Sequence, residues 1–486
     1  MSCVNERGAF VDGEWVDRAG RLHWHAGLLV DGELRSASGE DVVLVSPRDS
    51  RELARVGSAS PDDVDLAVGS ARAAFDDGRW AHLDPTARGE VLVRFADLVA
   101  AHAPDLATRI SLEMGKPVRE ALEVEIPAVA RCLRWYGELA DKLLDESPVT
   151  GPGSLALLTR EPAGVVGAVM PWNFPLTMTA CQLGPALVAG NSVVLKPAEQ
   201  TPFSALDLAW LGREAGLPPG VLNVVPGRGP VAGAALGRHP DVDVVAFAGS
   251  VPVGRRFLAY SAESNGKRVW LELGGKSATI ILPDADVPAA ARTTAWACFY
   301  NQGQMCSASS RMIVHRDVAD EATAAARDQA AAMAPGDPLD WDAPIGAVAS
   351  EDALLGVLQD VQGALDDGAT IAQGSSERYP LGPGSYLAPV ILTDVTPDMP
   401  IARQEVFGPV LSVLVVDSAQ EAVRVANDTQ FGLAAGLWTR DLSSAHRLSR
   451  QLKAGSVWVN CFGRDKSSPA VDKYTQRKST WIELAS

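Results

Sequence analysis

The sequence lacks the features that mark membrane proteins and proteins of oxidising compartments. Its apolar runs stay well short of the ~20 residues with which a helix crosses a bilayer, and Glu6, Arg7 and Asp12 stand where a signal peptide would be apolar. Its six cysteines form no Cys-x-x-Cys pair and no framework spacing, which argues against disulfides and against a zinc site. We therefore expect a cytoplasmic protein with reduced thiols and no bound metal.

Basic residues are also in deficit. The chain has 43 Lys and Arg against 60 Asp and Glu, a formal net charge of -17, which disfavours nucleic acid and anionic membranes as partners. Its apolar content of 47% with 6% aromatic residues is that of an ordinary globular protein. Because 486 residues exceed one compact core, we expect two or three domains.

The central and C-terminal parts of the chain alternate short apolar strands with helices. The first series of predicted strands covers residues 165–170, 192–195, 221–225, 242–248 and 269–273. A second series covers residues 278–282, 311–315, 410–416 and 456–460. This alternation predicts parallel, doubly wound sheets, so we expect an α/β fold with two such domains and a cleft between them.

Shorter signals mark the flanking segments. The pairs Asp12-Gly13 and Asp31-Gly32 each predict a turn beside strand-like residues. Ser60, followed by proline and two aspartates, predicts a helix N-cap. Residues 147–160 are rich in Gly, Pro and Ser and then alternate, which predicts a β arm of the kind that pairs subunits.

One cysteine has the setting of a nucleophile. Cys306 lies between small and polar residues, shortly after an apolar helical run that ends at Tyr300. A thiol at a helix exit can face a cleft and attack a substrate. Such a reaction needs an oxyanion donor, a base and an electron acceptor, and we looked for them at the strand ends.

Candidate donors and bases follow the predicted strands. Asn173, held between two prolines, could donate to an oxyanion, although an asparagine there is also a common turn former. Glu272, at a strand end 34 residues before Cys306, could be a general base if desolvation raises its pKa. Glu405 is a second candidate acid. Taken singly, either carboxylate is more often a surface residue than a catalytic one.

Other strand ends have residues suited to a dinucleotide. Lys196 and Glu199 could bind ribose hydroxyls, the alternative being a solvated ion pair. The segment from Gly249 through Ser250 to Gly254 leads into a helix whose N-terminus could attract a pyrophosphate. This Gly-Ser-x-x-x-Gly pattern is weak evidence by itself and differs from the dinucleotide fingerprint.

Taken together, these motifs resemble the aldehyde dehydrogenase superfamily. They are Pro-Trp-Asn-Phe-Pro at 171–175, Lys-Pro-Ala-Glu at 196–199, Phe-Ala-Gly-Ser at 247–250, Leu-Glu-Leu-Gly-Gly-Lys at 271–276, Gln-Gly-Gln-Met-Cys at 302–306 and Glu-Val-Phe-Gly-Pro at 405–409. They occur in the family's order, and the likeness extends from about residue 28 to the end of the chain.

The resemblance implies a role for each matching position. Cys306 would be the nucleophile, Asn173 with the Cys306 amide the oxyanion hole, and Glu272 the base that activates hydrolytic water. The cofactor would be NAD, which Glu199 favours over NADP. Its binding residues would be Trp172, Lys196, Glu199, Gly249, Ser250, Gly254, Glu405 and Phe407.

The resemblance also implies a domain plan and partners. Residues 1–27 would be an extension, 28–145 and 163–273 the NAD-binding domain, 146–162 and 470–486 an oligomerisation arm, and 274–469 the catalytic domain. The partners would be an aldehyde and further copies of the chain in a homodimer or homotetramer. Arg134-Trp135-Tyr136 and the Gly-Arg-Asp-Lys-Ser segment at 463–467 resemble enzymes that oxidise γ-glutamyl-γ-aminobutyraldehyde and related ω-aminoaldehydes.

One departure from the family pattern concerns the segment after Asn460. The family has a glycine-rich loop there, whereas here Cys461 and Phe462 lead directly to Gly463, as if the loop were deleted. The alternative hypothesis is therefore a catalytically impaired paralogue with a structural or NAD-binding role. A third hypothesis is an acyl-coenzyme A-forming semialdehyde dehydrogenase. The resemblance disfavours it, because the acylating branch of the family looks like it lacks the base that Glu272 would provide here.

Overall fold

Two seven-stranded sheets form the body of the protein. The computed structural model describes residues 12–25, 27–463 and 469–483. Its strands, in chain order, are Leu28–Val30 (β1), Glu33–Arg35 (β2), Asp41–Val45 (β3), Glu52–Gly57 (β4), Ser154–Pro162 (β5), Val165–Val169 (β6), Ser192–Lys196 (β7), Leu222–Val224 (β8), Val244–Gly249 (β9), Arg268–Leu273 (β10), Ala278–Ile281 (β11), Arg311–His315 (β12), Thr370–Gln373 (β13), Val390–Thr393 (β14), Val410–Val416 (β15), Ala434–Trp438 (β16), Ser456–Val459 (β17) and Thr475–Glu483 (β18).

Helices cover both sheets. They are Asp12–Ala19 (α1), Pro61–Asp76 (α2), Pro85–Ala101 (α3), Ala103–Met114 (α4), Val118–Glu120 (α5), Ile126–Leu139 (α6), Pro175–Val188 (α7), Pro202–Glu214 (α8), Ala234–Arg238 (α9), Val251–Glu263 (α10), Val287–Phe299 (α11), Ala319–Ala331 (α12), Glu351–Asp366 (α13), Pro400–Arg403 (α14), Ala419–Asn427 (α15) and Leu442–Ser449 (α16). Within the described ranges, none of them is long and apolar enough to span a membrane.

The first sheet has the strand order β10-β9-β6-β7-β8-β1-β2. Strands β6 to β10 are parallel, and β1 and β2 add an antiparallel edge. The strand order reverses between β6 and β9. In open α/β sheets, ligands bind at the carboxyl ends of the strands beside such a reversal, so the residues that follow β6 and β9 are placed for binding.

The second sheet has the order β13-β14-β15-β12-β11-β16-β17. It is parallel except for β13, which pairs antiparallel with β14. One face packs against α11 and α12 and the other against α13 and α15, with a separate buried apolar cluster on each side. The predicted α/β class with two parallel-sheet domains is thus confirmed.

Two antiparallel ribbons lie outside these sheets. Strands β3 and β4 form one, and β5 pairs with β18 along nine residues, from Ser154 opposite Glu483 to Pro162 opposite Thr475. The second ribbon is the predicted β arm. Its own sequence could not specify this partner, which lies more than 300 residues away along the chain.

The predicted turns have different outcomes. At Asp31-Gly32 both residues have positive φ, 56° and 74°, and join β1 to β2 as a tight hairpin. The predicted turn at Asp12-Gly13 is wrong, because these residues begin α1. Ser60 caps α2 as predicted: its hydroxyl accepts from the Asp63 amide at 3.2 Å, and the Asp63 carboxylate accepts from the Ser60 amide at 2.9 Å.

Candidate active site

The carboxyl ends of the strands in both sheets face a cleft of about 610 Å³. It brings together eight of the eleven residues predicted from sequence: Trp172, Asn173, Gly249, Ser250, Glu272, Cys306, Glu405 and Phe407. Lys196 and Glu199 line an adjoining cavity of about 330 Å³ that shares Trp172 and Gly249 with the cleft. Only Gly254, among the predicted residues, lines neither.

A strained loop presents Cys306 to the cleft. After α11 the chain reverses through Asn301, Gln302 and Gly303, with φ of 52°, 57° and 70°. This left-handed region is costly for residues with a side chain. At Gly303 a Cβ would lie 2.1 Å from the Gly408 carbonyl carbon, so only glycine fits there.

Asn173 is tied to this loop. Its Nδ2 donates to the Gln304 carbonyl at 3.0 Å, and its own carbonyl accepts from Asn301 Nδ2 at 3.0 Å. Since a side-chain amide has two N–H groups, one of them remains for a ligand. The side chain is 5% exposed and is therefore fixed before any ligand binds.

A buried ion pair supports the same region, and sequence analysis missed it. The Lys116 ammonium pairs with the Glu125 carboxylate, both almost fully buried, and also donates to the Asn173 carbonyl at 3.1 Å. Glu125 in turn accepts from the Leu176 and Thr177 amides at the start of α7. Lys116 follows a Gly that ends α4, and no local pattern distinguishes it from a surface lysine.

The Cys306 thiol rests in its protonated form. Burial, together with the nearby carboxylates of Glu405 and Glu272, raises its pKa to about 11, against a smaller opposing effect of the Ser307 and Cys306 amides. Thiolate is the nucleophilic form. Removing or neutralising negative charge in the cleft will therefore activate this cysteine.

The position of Glu405 depends on two glycines. The Gly275 amide donates to Glu405 Oε1 at 3.1 Å. A Cβ at Gly274 would lie 2.0 Å from Glu405 Oε2, so a side chain there would displace the carboxylate. Burial raises the pKa of Glu405 above its ordinary value, while Gly275 and Lys276 oppose this.

Glu272 has a partner that the sequence did not predict. Lys473 Nζ lies 2.8 Å from Glu272 Oε1, and both side chains are partly exposed. The two residues are 201 positions apart in sequence. Lys473 lies just before β18, so the C-terminal segment contacts a residue that lines the cleft.

The adjoining cavity fits a nucleotide. Lys196 is 2% exposed, its Nζ donates to the Pro197 carbonyl at 2.7 Å, and Glu199 Oε2 lies 3.9 Å away. Burial lowers the pKa of Lys196, and Glu199 counteracts this. Glu199 Oε1 also accepts from the Gly229 amide, which aims the carboxylate along the cavity wall. An ammonium beside a carboxylate at a strand end matches ribose hydroxyls.

The segment after β9 suits a pyrophosphate. Gly249 has a φ of 158°, Ser250 is the N-cap of the 13-residue α10, and both line the cleft. Gly254 instead allows α10 to lie close to β10, since a Cβ there would approach Leu273 Cδ2 to 2.7 Å. The predicted cofactor role of Gly254 stays a prediction.

An aromatic pair, Trp172 and Phe407, lines the cleft. The rings of Trp172 and Phe407 meet edge to face, with centroids 5.4 Å apart. Phe407 has a φ of 55°, a conformation rare for a bulky residue. Trp172 and Gly249 line both cavities, and Phe407 lines the cleft together with Cys306.

Comparison with known proteins identifies this arrangement. Residues 34–471 match the model of the aldehyde dehydrogenase family. The chain belongs to the aldehyde dehydrogenase family. This aldehyde dehydrogenase is 43% identical to the NADP/NAD-dependent aldehyde dehydrogenase PuuC of Escherichia coli over 97% of its own length and 98% of PuuC. It is also 43% identical to an aminoacetaldehyde dehydrogenase of Pseudomonas aeruginosa, over 94% and 95% of the two chains.

Solved structures agree with the fold. The indole-3-acetaldehyde dehydrogenase AldA of P. syringae, in complex with NAD+ and IAA, has a TM-score of 0.96 and 45% identity, covering 98% of this chain and 100% of that one. The γ-glutamyl-γ-aminobutyraldehyde dehydrogenase of Burkholderia cenocepacia has a TM-score of 0.95 and 45% identity, with the same coverage. Enzymes of this family use NAD or NADP as the electron acceptor.

The segment after β17 of this aldehyde dehydrogenase contributes to an aromatic wall. After β17, Asn460 turns the chain with a φ of 54°, held by two bonds to Thr439 of 2.9 and 3.0 Å. Phe462 then packs against Trp458 and Trp296, with ring centroids 4.7 and 6.2 Å apart. Residues 464–468 lie outside the described ranges.

Proposed function

We propose that this protein oxidises an aldehyde to its carboxylic acid with NAD, through a thiohemiacetal and then a thioester on Cys306. The observation that carries the proposal is that Cys306, Asn173 and Glu272 line one cleft that adjoins the cavity of Lys196 and Glu199. The first three supply a nucleophile, an oxyanion donor and a base, and the last two suit a dinucleotide.

The protein side chains would act in sequence. Cys306 first loses its thiol proton to solvent, its Sγ then attacks the aldehyde carbon, and the free N–H of Asn173 donates to the oxyanion that forms. NAD, when bound, accepts the hydride that leaves this carbon. Glu272 then takes a proton from the water that attacks the thioester, and the acid is released as the C–S bond breaks.

An aminoaldehyde such as γ-glutamyl-γ-aminobutyraldehyde is the proposed substrate. Two relatives are named for aminoaldehydes. Behind the cleft wall, Phe174 stacks on Tyr300 with centroids 6.3 Å apart. The Tyr300 phenol is in electrostatic contact with Glu120, whose Oε2 is shielded from solvent and lacks a hydrogen-bond donor within the described residues. An ammonium group would neutralise this carboxylate.

An aromatic aldehyde is the second candidate. The wall of Trp296, Tyr300, Trp458 and Phe462 is an apolar surface onto which a ring could stack. One structural relative is named for indole-3-acetaldehyde and another relative for benzaldehyde. Because aromatic rings also attract cations, the wall alone does not decide between the two classes.

A panel of aldehydes separates these substrates. ω-Aminoaldehydes, γ-glutamyl-γ-aminobutyraldehyde with its glutamyl ammonium, neutral N-acetyl analogues and arylacetaldehydes would be compared by kcat/KM for NADH formation, with Cys306→Ala as the inactive control. We expect the highest value for an aminoaldehyde, and Glu120→Gln should raise its KM several-fold while leaving the neutral analogue unchanged. Equal KM effects on both would refute the role of Glu120, and retained turnover in Cys306→Ala would refute the mechanism.

The same preparation tests the other hypotheses from the sequence. NAD binding by calorimetry without turnover of any aldehyde would favour the impaired paralogue. Turnover that requires added coenzyme A would favour the acylating enzyme. The presence of Glu272 in the cleft supports hydrolysis over both.

We also propose that the ribbon of β5 and β18 pairs subunits in a homodimer or homotetramer. Trp481 and Ile482 on this ribbon are 70% and 42% exposed, and two-stranded ribbons are marginally stable alone. Sedimentation equilibrium of the purified protein tests this; a monomer at micromolar concentration would refute it. A cytoplasmic location is proposed from the free thiols of the described cysteines.

A further inference from the structure

Lys473 is fixed beside the strand that bears Glu272. Its carbonyl accepts from Trp270 Nε1 at 2.9 Å, and its ammonium lies 5.9 Å from the centre of the Trp270 ring. Trp270 and Glu272 are two residues apart on β10 and therefore point to the same face of the sheet. The ammonium is thus held over that face, where it meets Glu272 Oε1 at 2.8 Å.

The main chain around Lys473 is anchored as well. The next residue, Tyr474, is fully buried, and its hydroxyl donates to Gln182 Oε1. Its carbonyl accepts from Asn191 Nδ2 at 3.0 Å and from the Ala163 amide at 3.1 Å. A side chain that begins next to such an anchor has a defined reach, so the contact with Glu272 is set by the fold.

The contact between Lys473 and Glu272 bears on proton abstraction in the cleft. Cys306, Glu272 and Glu405 all line it, and the two carboxylates both act electrostatically on the Cys306 thiol. A carboxylate that must deprotonate water has to be ionised and correctly aimed. An ammonium bound to one oxygen fixes the direction of the carboxylate and leaves the other oxygen for the water.

We propose that Lys473 is a positioning residue for Glu272 in the hydrolytic half of the reaction, an inference that rests on the proposed function. Lys473 holds Oε1, and Oε2 accepts the proton. In this step the water oxygen bonds to the thioester carbon, the C–S bond breaks with its electrons passing to Cys306 Sγ, and the carboxylic acid leaves.

An activated ester tests this step without hydride transfer. With 4-nitrophenyl acetate, Cys306 is acetylated with release of 4-nitrophenolate, and water then hydrolyses the thioester. We expect Lys473→Met to leave the initial nitrophenolate burst unchanged and to slow deacylation about tenfold, so that acetylated Cys306 accumulates and is detected by intact-protein mass. Lys473→Arg, which keeps the charge, should recover most of the rate.

Asp472→Asn is the matched control. It removes a contact of the neighbouring residue, the 3.3 Å pair with Arg160, without touching Glu272. We expect it to deacylate like the wild type. An unchanged deacylation rate in Lys473→Met would overturn the proposal, because Lys473 would then have no influence on the step. A deacylation rate equally slowed in Asp472→Asn would also overturn it, because the loss would then reflect a general disturbance of the segment.

The ester assay also separates this inference from the proposed oxidation. If the wild type oxidises no aldehyde in the panel, the dehydrogenase proposal fails, yet the rates of acetyl-Cys306 hydrolysis in the wild type and Lys473→Met still decide the role of Lys473. If aldehydes are oxidised but both proteins deacylate equally fast, only the role of Lys473 fails.

Discussion

The raised pKa of Cys306 makes a quantitative prediction about its reactivity. Burial and two carboxylates bring the pKa from an ordinary value near 9 to about 11. At pH 8 the thiolate is then about 0.1% of the total instead of about 10%, so that alkylation should be about 100-fold slower than for an ordinary thiol of similar accessibility. Below the pKa the rate should rise about tenfold per pH unit and level off near pH 11.

The assay is alkylation of the cofactor-free protein by iodoacetamide between pH 7 and 11, with the Cys306 peptide quantified by mass spectrometry. Following one peptide avoids interference from the thiols of Cys132, Cys181, Cys298 and Cys461, none of which is in a disulfide. A plateau at pH 9 or below would refute the reasoning, since it would mean that the thiol does not experience the burial and negative charge described.

Glu405→Gln identifies the electrostatic part of the effect. The glutamine keeps an acceptor for the Gly275 amide but removes a charge that raises the pKa of Cys306. The pH at which the alkylation rate of Cys306 levels off should therefore be lower in this variant. Glu263→Gln, an equal charge change in an exposed ion pair with Arg238 outside the cleft lining, should leave it in place. An equal displacement in both variants would show that net charge, and not proximity, is responsible.

Four further variants test the site. Asn173→Ala should lower kcat by about 10²–10³ through loss of the oxyanion donor, and an unchanged kcat in NADH assays would contradict that role. Gly274→Ala, whose Cβ would lie 2.0 Å from Glu405 Oε2, should raise KM for NAD about tenfold by displacing that carboxylate. Glu199→Ser should raise the ratio of kcat/KM for NADP to that for NAD, because the carboxylate repels a 2′-phosphate; a constant ratio would refute this. Lys116→Met should lower the free energy of unfolding by about 3–5 kcal/mol in urea titrations, since its buried carboxylate partner loses its cation.

Local signals in the sequence predicted the five parallel strands of the first sheet, four strands of the second sheet and eight of the residues that line the cleft. Each strand of the first series is an apolar run, and the candidate catalytic and cofactor-binding residues stand at or just after the end of such a run. At Asp31-Gly32 the flanking residues are free to pair, so the turn forms. At Asp12-Gly13 the same two residues lie in an amphipathic helix, because Trp15 is buried against the core and its neighbours follow helical spacing.

What the sequence did not reveal depends on contacts between distant segments. Strands β13, β14 and β16 were not predicted because their short sequences gain strand character only from neighbours in the sheet. The same holds in the site: Lys116 and Lys473 look like solvent-exposed lysines until the fold places a carboxylate beside each. Predicting them requires knowing which segments meet, which no motif encodes.

The aromatic wall around Phe462 has a practical consequence for the choice of ligands to test. Trp458 lines the cleft, and Trp296, which contacts Trp458 through the Phe462 ring, is 41% exposed. Indole fluorescence depends on the polarity and contacts of the ring, so a molecule that enters here should change the emission of these two tryptophans. Difference spectra between the wild type and Trp296→Phe would isolate that signal, and the protein would report occupancy by a ligand even when no turnover follows.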